Sequence, residues 1–194
     1  MEKIILASGS PRRKDILNML KIPFEVVESN ADETCPEGTS AEDTVKILSA
    51  RKAAAVAETL EEKCVVIGAD TVVFLNGKIL GKPKDAADAS AMLSSLSGKS
   101  HFVYTGISVI CGGKTVTVCD KTEVKFKPLS QEEISAYVAS GEPLGKAGSY
   151  AVQGLGSMFI EKIDGDFFTV VGMSPKILSD ILESFGIYPY KSWK

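Results

Sequence analysis

The sequence predicts a mixed α/β fold, on three observations. Short apolar runs of strand length alternate with longer stretches that carry helix-capping residues. Two turn signals, Asn76-Gly77 and Gly112-Gly113, separate apolar runs and add antiparallel pairs to the alternation. No repeat, low-complexity tract or linker interrupts the 194 residues, so one domain over 1–194, compact or of two lobes sharing a core, is the economical reading.

In chain order, Ile4-Ile5-Leu6-Ala7 reads as a buried strand that stops at Ser8-Gly9-Ser10-Pro11. The apolar run that begins near Met1 is too short for a signal-peptide core. Ser10 suits an N-cap and Pro11 the first helical position, with Ile16, Leu17 and Leu20 on one face. Phe24 to Val27 is a strand and Ser29 to Thr39 a loop. Ser40-Ala41-Glu42-Asp43 resembles a capping box, although Asp is less usual than Glu in its last place, and opens a helix to about Leu60. Cys64 to Leu75 is apolar apart from Asp70 and Thr71, and Asn76-Gly77 turns it. Asp85 to Leu96 is a helix closed by Gly98, and Phe102 to Phe126 makes two long strands. Ser130-Gln131-Glu132-Glu133 is a full capping box, opening a helix that Gly141 ends. Met158 to Ile163 is a strand, and Pro175 to about Phe185 a final helix.

Composition narrows the function. Hydrophobic residues at 44% and charged residues at 24% describe an ordinary globule, and at this length folding buries roughly 70% of the unfolded surface. A net charge of −3 disfavours a nucleic-acid partner, yet a few local Lys and Arg suffice for a small polyanion. No apolar run approaches the roughly 20 residues of a membrane span, so no membrane partner is expected. Four cysteines without a C-x-x-C pair and a single histidine disfavour structural zinc; a cytoplasmic location with reduced thiols is expected.

Four segments could carry chemistry. Ser8-Gly9-Ser10-Pro11-Arg12-Arg13 puts two arginines in a first helical turn, against the helix dipole, where free N–H groups already attract anions. A local rule broken without structural gain points to function, here bidentate donors for phosphate; a solvated surface pair is the bland alternative. Asp70 lies inside the apolar run Ile67-Gly68-Ala69-Asp70-Thr71-Val72-Val73, where a carboxylate is costly unless paired or metal-bound. It is a metal ligand, a general base, or merely a cap at a strand end. Gly81-Lys82-Pro83 frames a point charge apt for phosphate, though a loop lysine is usually just solvated. From Gly141-Glu142-Pro143 through Lys146-Ala147-Gly148-Ser149-Tyr150 to Gln153-Gly154-Leu155-Gly156, glycine density implies special backbone angles or close approach. Gln153 offers the paired donor and acceptor that suit a base edge, while an ordinary long loop is the alternative. A lone His101 in a strand pattern excludes a Ser-His-Asp set, and neither a P-loop nor a G-x-G-x-x-G occurs.

Together these segments resemble the Maf family of nucleotide pyrophosphatases, along essentially the whole chain. The resemblance adds Ala31-Asp32-Glu33-Thr34, Arg51-Lys52-Ala53 and Tyr104-Thr105-Gly106 to the segments above. It implies hydrolysis of a nucleoside triphosphate to monophosphate and pyrophosphate with a divalent cation, Mg²⁺ or Mn²⁺. It implies a mixed α/β fold with a cleft, related to inosine triphosphate pyrophosphatases. Asp70 matches the family's proton acceptor, and Arg13, Thr71 and Gln153 match positions linked to base choice. These look like the branch that prefers dTTP and UTP; the sibling branch acting on 7-methyl-GTP typically has Trp, Gln and Glu there. One departure is visible. Where the family shows Asn-Val-Val-Gly-Leu-Pro, this chain has Thr169-Val170-Val171-Gly172-Met173-Ser174, a change expected to lie away from the charged set.

The resulting expectation has Glu33 and Asp70 holding the cation and Asp70 activating water. Ser8, Ser10, Arg12, Arg13, Lys52, Lys82 and Lys146 contact the triphosphate, and Thr71 and Gln153 read a pyrimidine. The substrate is a small-molecule nucleotide, ordinary or modified, and a homodimer is compatible with the sequence. The competing hypothesis is a nucleotide-binding regulator of cell division and septum formation without significant turnover.

Overall fold

The first apolar run and the two that follow it make the parallel part of one sheet. In the computed structural model, β1 (Ile4–Leu6) pairs in parallel with both β2 (Glu25–Val26) and β3 (Val65–Leu75), so that Ile5 faces Glu25 on one side and Val66 on the other. Parallel neighbours need crossovers, and α1 (Pro11–Met19) and α2 (Ala41–Ala57) stand in the connecting segments. The structure describes residues 2–60 and 64–193; Met1, read as the head of the N-terminal run, lies outside the described residues.

β3 returns antiparallel as β4 (Lys78–Leu80) through Asn76 and Gly77, whose φ values of 48° and 81° are those a two-residue primed turn requires. There follow α3 (Ala86–Leu96), β5 (Ser100–Cys111), β6 (Lys114–Phe126), α4 (Gln131–Ala139), β7 (Ile160–Asp164), α5 (Phe167–Val171) and α6 (Pro175–Ser184). β7 is antiparallel to β6. Among the described residues the strand order is β2-β1-β3-β5-β6-β7, with β4 on β3, a mixed sheet as the sequence predicts. No helix among the described residues is long and apolar enough to cross a membrane.

The chain divides into two compact units, one of Met1–Asp70, Thr105–Asp120 and Gly172–Lys194, the other of Thr71–Tyr104 and Lys121–Val171. In the first, Ile5, Ala7, Ala53, Val56, Cys64 and Val66 form a core. The buried residues of α2 recur every three or four positions (Ala41, Thr44, Val45, Leu48, Ser49, Ala53, Val56), which is one helical face. Two glycines let that face lie flush. A Cβ at Gly68 would stand 2.3 Å from the Ser49 carbonyl oxygen, and one at Gly106 2.3 Å from that of Val45. The hydroxyls buried with them are satisfied, Ser49 against Ser108 and Ser108 against Thr117, both at 2.8 Å.

The second unit is built on aromatics: Phe126, Tyr137, Tyr150 and Phe159 pack with Leu93, Leu96, Val103 and Ile134. His101 is buried among them, edge-on to Phe126 and Tyr150, with Nε2 2.9 Å from the Tyr150 hydroxyl and Nδ1 without a hydrogen-bond partner. Burial pulls its pKa down to about 4, so it is a neutral core residue.

Some boundaries differ from expectation. α2 stops at Ala57 rather than near Leu60. Ser40 accepts from the Asp43 N–H at 3.0 Å, but the shorter Asp43 carboxylate returns to the Ser40 hydroxyl and not to its N–H. Ser10 makes no side-chain cap. β7 begins at Ile160, not Met158, because Leu155–Phe159 coil into a 3₁₀ turn. α5, at five residues, is too short to show a period.

Candidate active site

Lys52 falls on the inward stripe of α2, beside Ser49, Ala53 and Val56, so the helix delivers an ammonium toward β3. Its side chain is 13% exposed and that of Asp70 12%. Lys52 Nζ lies 2.6 Å from Asp70 Oδ1 and 2.8 Å from Glu33 Oε1. A carboxylate inside an apolar strand is tolerated here because an ammonium reaches it.

The loop carrying Glu33 is held by neighbours that sequence reading missed as individuals. Both the Thr34 N–H and its hydroxyl donate to the Asp32 carboxylate, at 2.9 and 2.7 Å. Arg51 Nη1 donates to the Thr34 carbonyl at 2.5 Å. One turn of α2 thus supplies the lysine that pairs with Glu33 and the arginine that fixes its loop. The signal was present as Asp32-x-Thr34, the pattern of an Asx turn.

Arg13, in the first turn of α1, is half-buried and held at two points. Its Nη1 donates to Ser8 Oγ at 3.1 Å, and its Nε donates to the Gly172 carbonyl at 3.1 Å. Ser8 Oγ also accepts the Ser10 N–H at 3.3 Å. Burial draws the Arg13 pKa down to about 10; Asp70 and Glu33 pull it up and Arg12 pushes it down, and the guanidinium stays charged at neutral pH. Gly172, which this chain shares with the family pattern, thus brings the 169–174 segment to Arg13. Its departures serve packing and capping: Met173 is buried, and Ser174 Oγ accepts the Ile177 N–H at the start of α6.

Ser8, Arg13, Glu33, Lys52 and Asp70 thus converge in the first unit, with Ser10 and Arg12 on the same turn. Among the described residues no three His, Cys, Asp or Glu converge as a metal cage. Two carboxylates held to one ammonium fit a hard cation that takes its other ligands from water and phosphate, the habit of Mg²⁺.

Thr71, Lys82, Lys146 and Gln153 belong to the second unit. The Gly148 N–H donates to the Gly81 carbonyl at 3.0 Å and joins the loops of Lys82 and Lys146. Lys82 is exposed, and Lys146 Nζ donates to the Glu142 carbonyl at 2.6 Å. Gln153 is exposed on a turn tied to the Glu142 carboxylate, which receives Leu155 N–H and Gly156 N–H at 3.0 Å and the Tyr137 hydroxyl at 2.8 Å. Glu142 was legible only as part of a glycine-rich stretch.

Comparison with known proteins agrees with the motif pattern. Residues 3–185 match the family model described as Maf, Maf-like protein. A Bacillus cytotoxicus protein named dTTP/UTP pyrophosphatase is 54% identical over 173 residues, 89% of this chain and 90% of that protein. A Bacillus cereus protein of the same name is 51% identical over 187 residues, 96% of this chain and 97% of its own. Among solved structures, the Staphylococcus aureus Ham1 protein aligns with TM-score 0.47 at 18% identity, over 64% of this chain and 72% of that one. The near-complete family match and relatives above half identity establish that this chain belongs to the Maf family.

Proposed function

We propose that this protein hydrolyses dTTP and UTP, ordinary or modified, to the monophosphate and pyrophosphate, acting on the cytoplasmic nucleotide pool as a single domain. The observation that carries the reading is the Lys52 ammonium held between Asp70 and Glu33, beside a half-buried Arg13. Relatives named for this activity support it.

Asp70 orients a water toward the α-phosphorus and accepts its proton. Lys52, within 2.8 Å of both carboxylates, restrains them before substrate arrives and offers its charge to phosphate oxygens afterwards. Arg12 and Arg13 supply planar donors, Arg13 pre-aimed by Ser8 and Gly172. Ser8 and Ser10 add short polar contacts at the same turn, and Lys82 and Lys146 add point charges. Glu33 and Asp70 would hold the divalent cation, which when bound neutralises triphosphate charge. Phosphoryl transfer is mostly positioning and charge stabilisation, so one base within a cationic cradle suffices. Thr71 and Gln153 read the pyrimidine edge, where a mismatched base would leave their polar groups unpaired.

Pyrophosphate release from a panel of triphosphates with Mg²⁺ or Mn²⁺ tests the reading. Asp70→Asn should lower kcat by about 10²- to 10⁴-fold, the usual worth of a general base, with its circular dichroism unchanged. Near-normal turnover in that variant removes Asp70 from the mechanism. No release from any triphosphate by the wild type favours the regulator instead.

A further inference from the structure

We propose that Glu142 is a positioning residue that sets base selectivity by holding the turn of Gln153, without itself touching the nucleotide. The proposal rests on the assignment of Gln153 as a base reader. The two Glu142 carboxylate oxygens receive three donors: Leu155 N–H on Oε2, and Gly156 N–H and the Tyr137 hydroxyl on Oε1. The Tyr137 oxygen in turn accepts the Ala151 N–H at 3.1 Å. Gln153 lies two residues after Ala151 and two before Leu155, so both arms of its turn end on one carboxylate, directly or through one phenol. The turn's own backbone bond is long, Gly154 N to Ala151 O at 3.4 Å, which leaves the carboxylate as the stronger restraint.

The packing supports the same conclusion. A Cβ at Gly154 would stand 2.3 Å from Glu142 Oε2, and one at Gly156 2.7 Å from the Tyr137 hydroxyl, so the chain wraps this pair with no space for side chains. Burial pushes the Glu142 pKa up, but the Gly156 and Leu155 N–H groups, the Tyr137 hydroxyl and the Lys146 charge outweigh it and hold the group ionised. The Glu142 carbonyl also receives Lys146 Nζ. One residue thus anchors both a candidate phosphate contact and a candidate base contact, and displacements near 1 Å in such groups are costly.

Glu142→Gln keeps the size but sets an amide NH₂ against one of the three donors; Glu142→Asp keeps the charge on a shorter arm. In this 194-residue chain, Glu142→Gln should lower the ratio of kcat/KM for dTTP over dATP by about tenfold or more, as loss of oriented readout does. Gln153→Ala should lower the ratio similarly, the double variant should fall no further, and Glu142→Asp should recover part of the preference. Amide hydrogen exchange over 151–156 should accelerate in Glu142→Gln relative to the rest of the chain. An unchanged ratio, fully additive single effects, or unchanged exchange at 151–156 each overturns the proposal. A wild type that shows no preference for dTTP removes the base-reader assignment as well, and so marks a failure of that assignment rather than of Glu142 alone.

Discussion

Two carboxylates dominate the polar chemistry of this molecule, and they are held in opposite ways. Asp70, in the first unit, faces a lysine side chain that it shares with Glu33. Glu142, in the second, faces two backbone N–H groups and a phenol. An ammonium on a flexible stem can be exchanged for a metal ion or drawn off by phosphate; a peptide N–H cannot leave. The nature of the partner therefore separates a carboxylate poised for chemistry, in an apolar strand, from one that maintains architecture, in a glycine-rich loop.

Removing the exchangeable partner should have the largest effect. Lys52→Met leaves Asp70 in an apolar strand without its ammonium, and should cost about 2–4 kcal/mol of stability in urea unfolding along with most of the activity. Adding Asp70→Asn should restore much of the stability and none of the turnover; a double variant no more stable than Lys52→Met would show that the two side chains are not coupled.

Acid should reach the second unit through His101. Its folded pKa of about 4 lies below the unfolded 6.5, so the unfolded chain binds the extra proton first as pH falls. The contribution is constant above about pH 6.5 and is lost between there and pH 4, amounting to about 3 kcal/mol at the low end. Urea midpoints at pH 7 and pH 5 should differ less in His101→Phe than in the wild type, and equal slopes would refute the assignment.

Steric intrusion into the first unit comes next. Gly68→Ala drives a methyl against the Ser49 carbonyl of α2, a backbone atom that cannot swing aside, and should cost about 2 kcal/mol of stability. Because Lys52 rides on the same helix, kcat should fall as well; loss of stability with kcat intact would separate the helix seat from the ion cluster. The smallest effect belongs to the second unit. Tyr137→Phe strips the Ala151 N–H of its acceptor and Glu142 of one donor among three, for about 1 kcal/mol by thermal unfolding. A loss several times larger would mean that the phenol, rather than the carboxylate, holds the turn.

Much of the fold is legible in the sequence because its signals are short-ranged. The Ser130 capping box, the Asn76-Gly77 turn and the Pro175 helix start each lie within four residues of the structure they specify. The candidate residues were legible as types: arginines opposed to a helix dipole, and an acid in an apolar strand. Lys52 entered only through the resemblance, and its inward aim beside Ser49, Ala53 and Val56 is a finding of the folded helix.

Local pattern thus specified the alternation of strands and helices, the turns, and the kinds of side chain available for chemistry. Pairing across long stretches of chain was settled by folding itself. Arg13 meets Gly172 across 159 positions, and the His101 imidazole meets the Tyr150 hydroxyl across 49. Whether Glu142 would be a surface charge or the anchor of a turn depended on where Tyr137, Leu155 and Gly156 came to rest. Periodicity and capping act over one or two turns of chain, whereas a hydrogen bond between remote groups exists only after the core has brought both ends within about 3 Å.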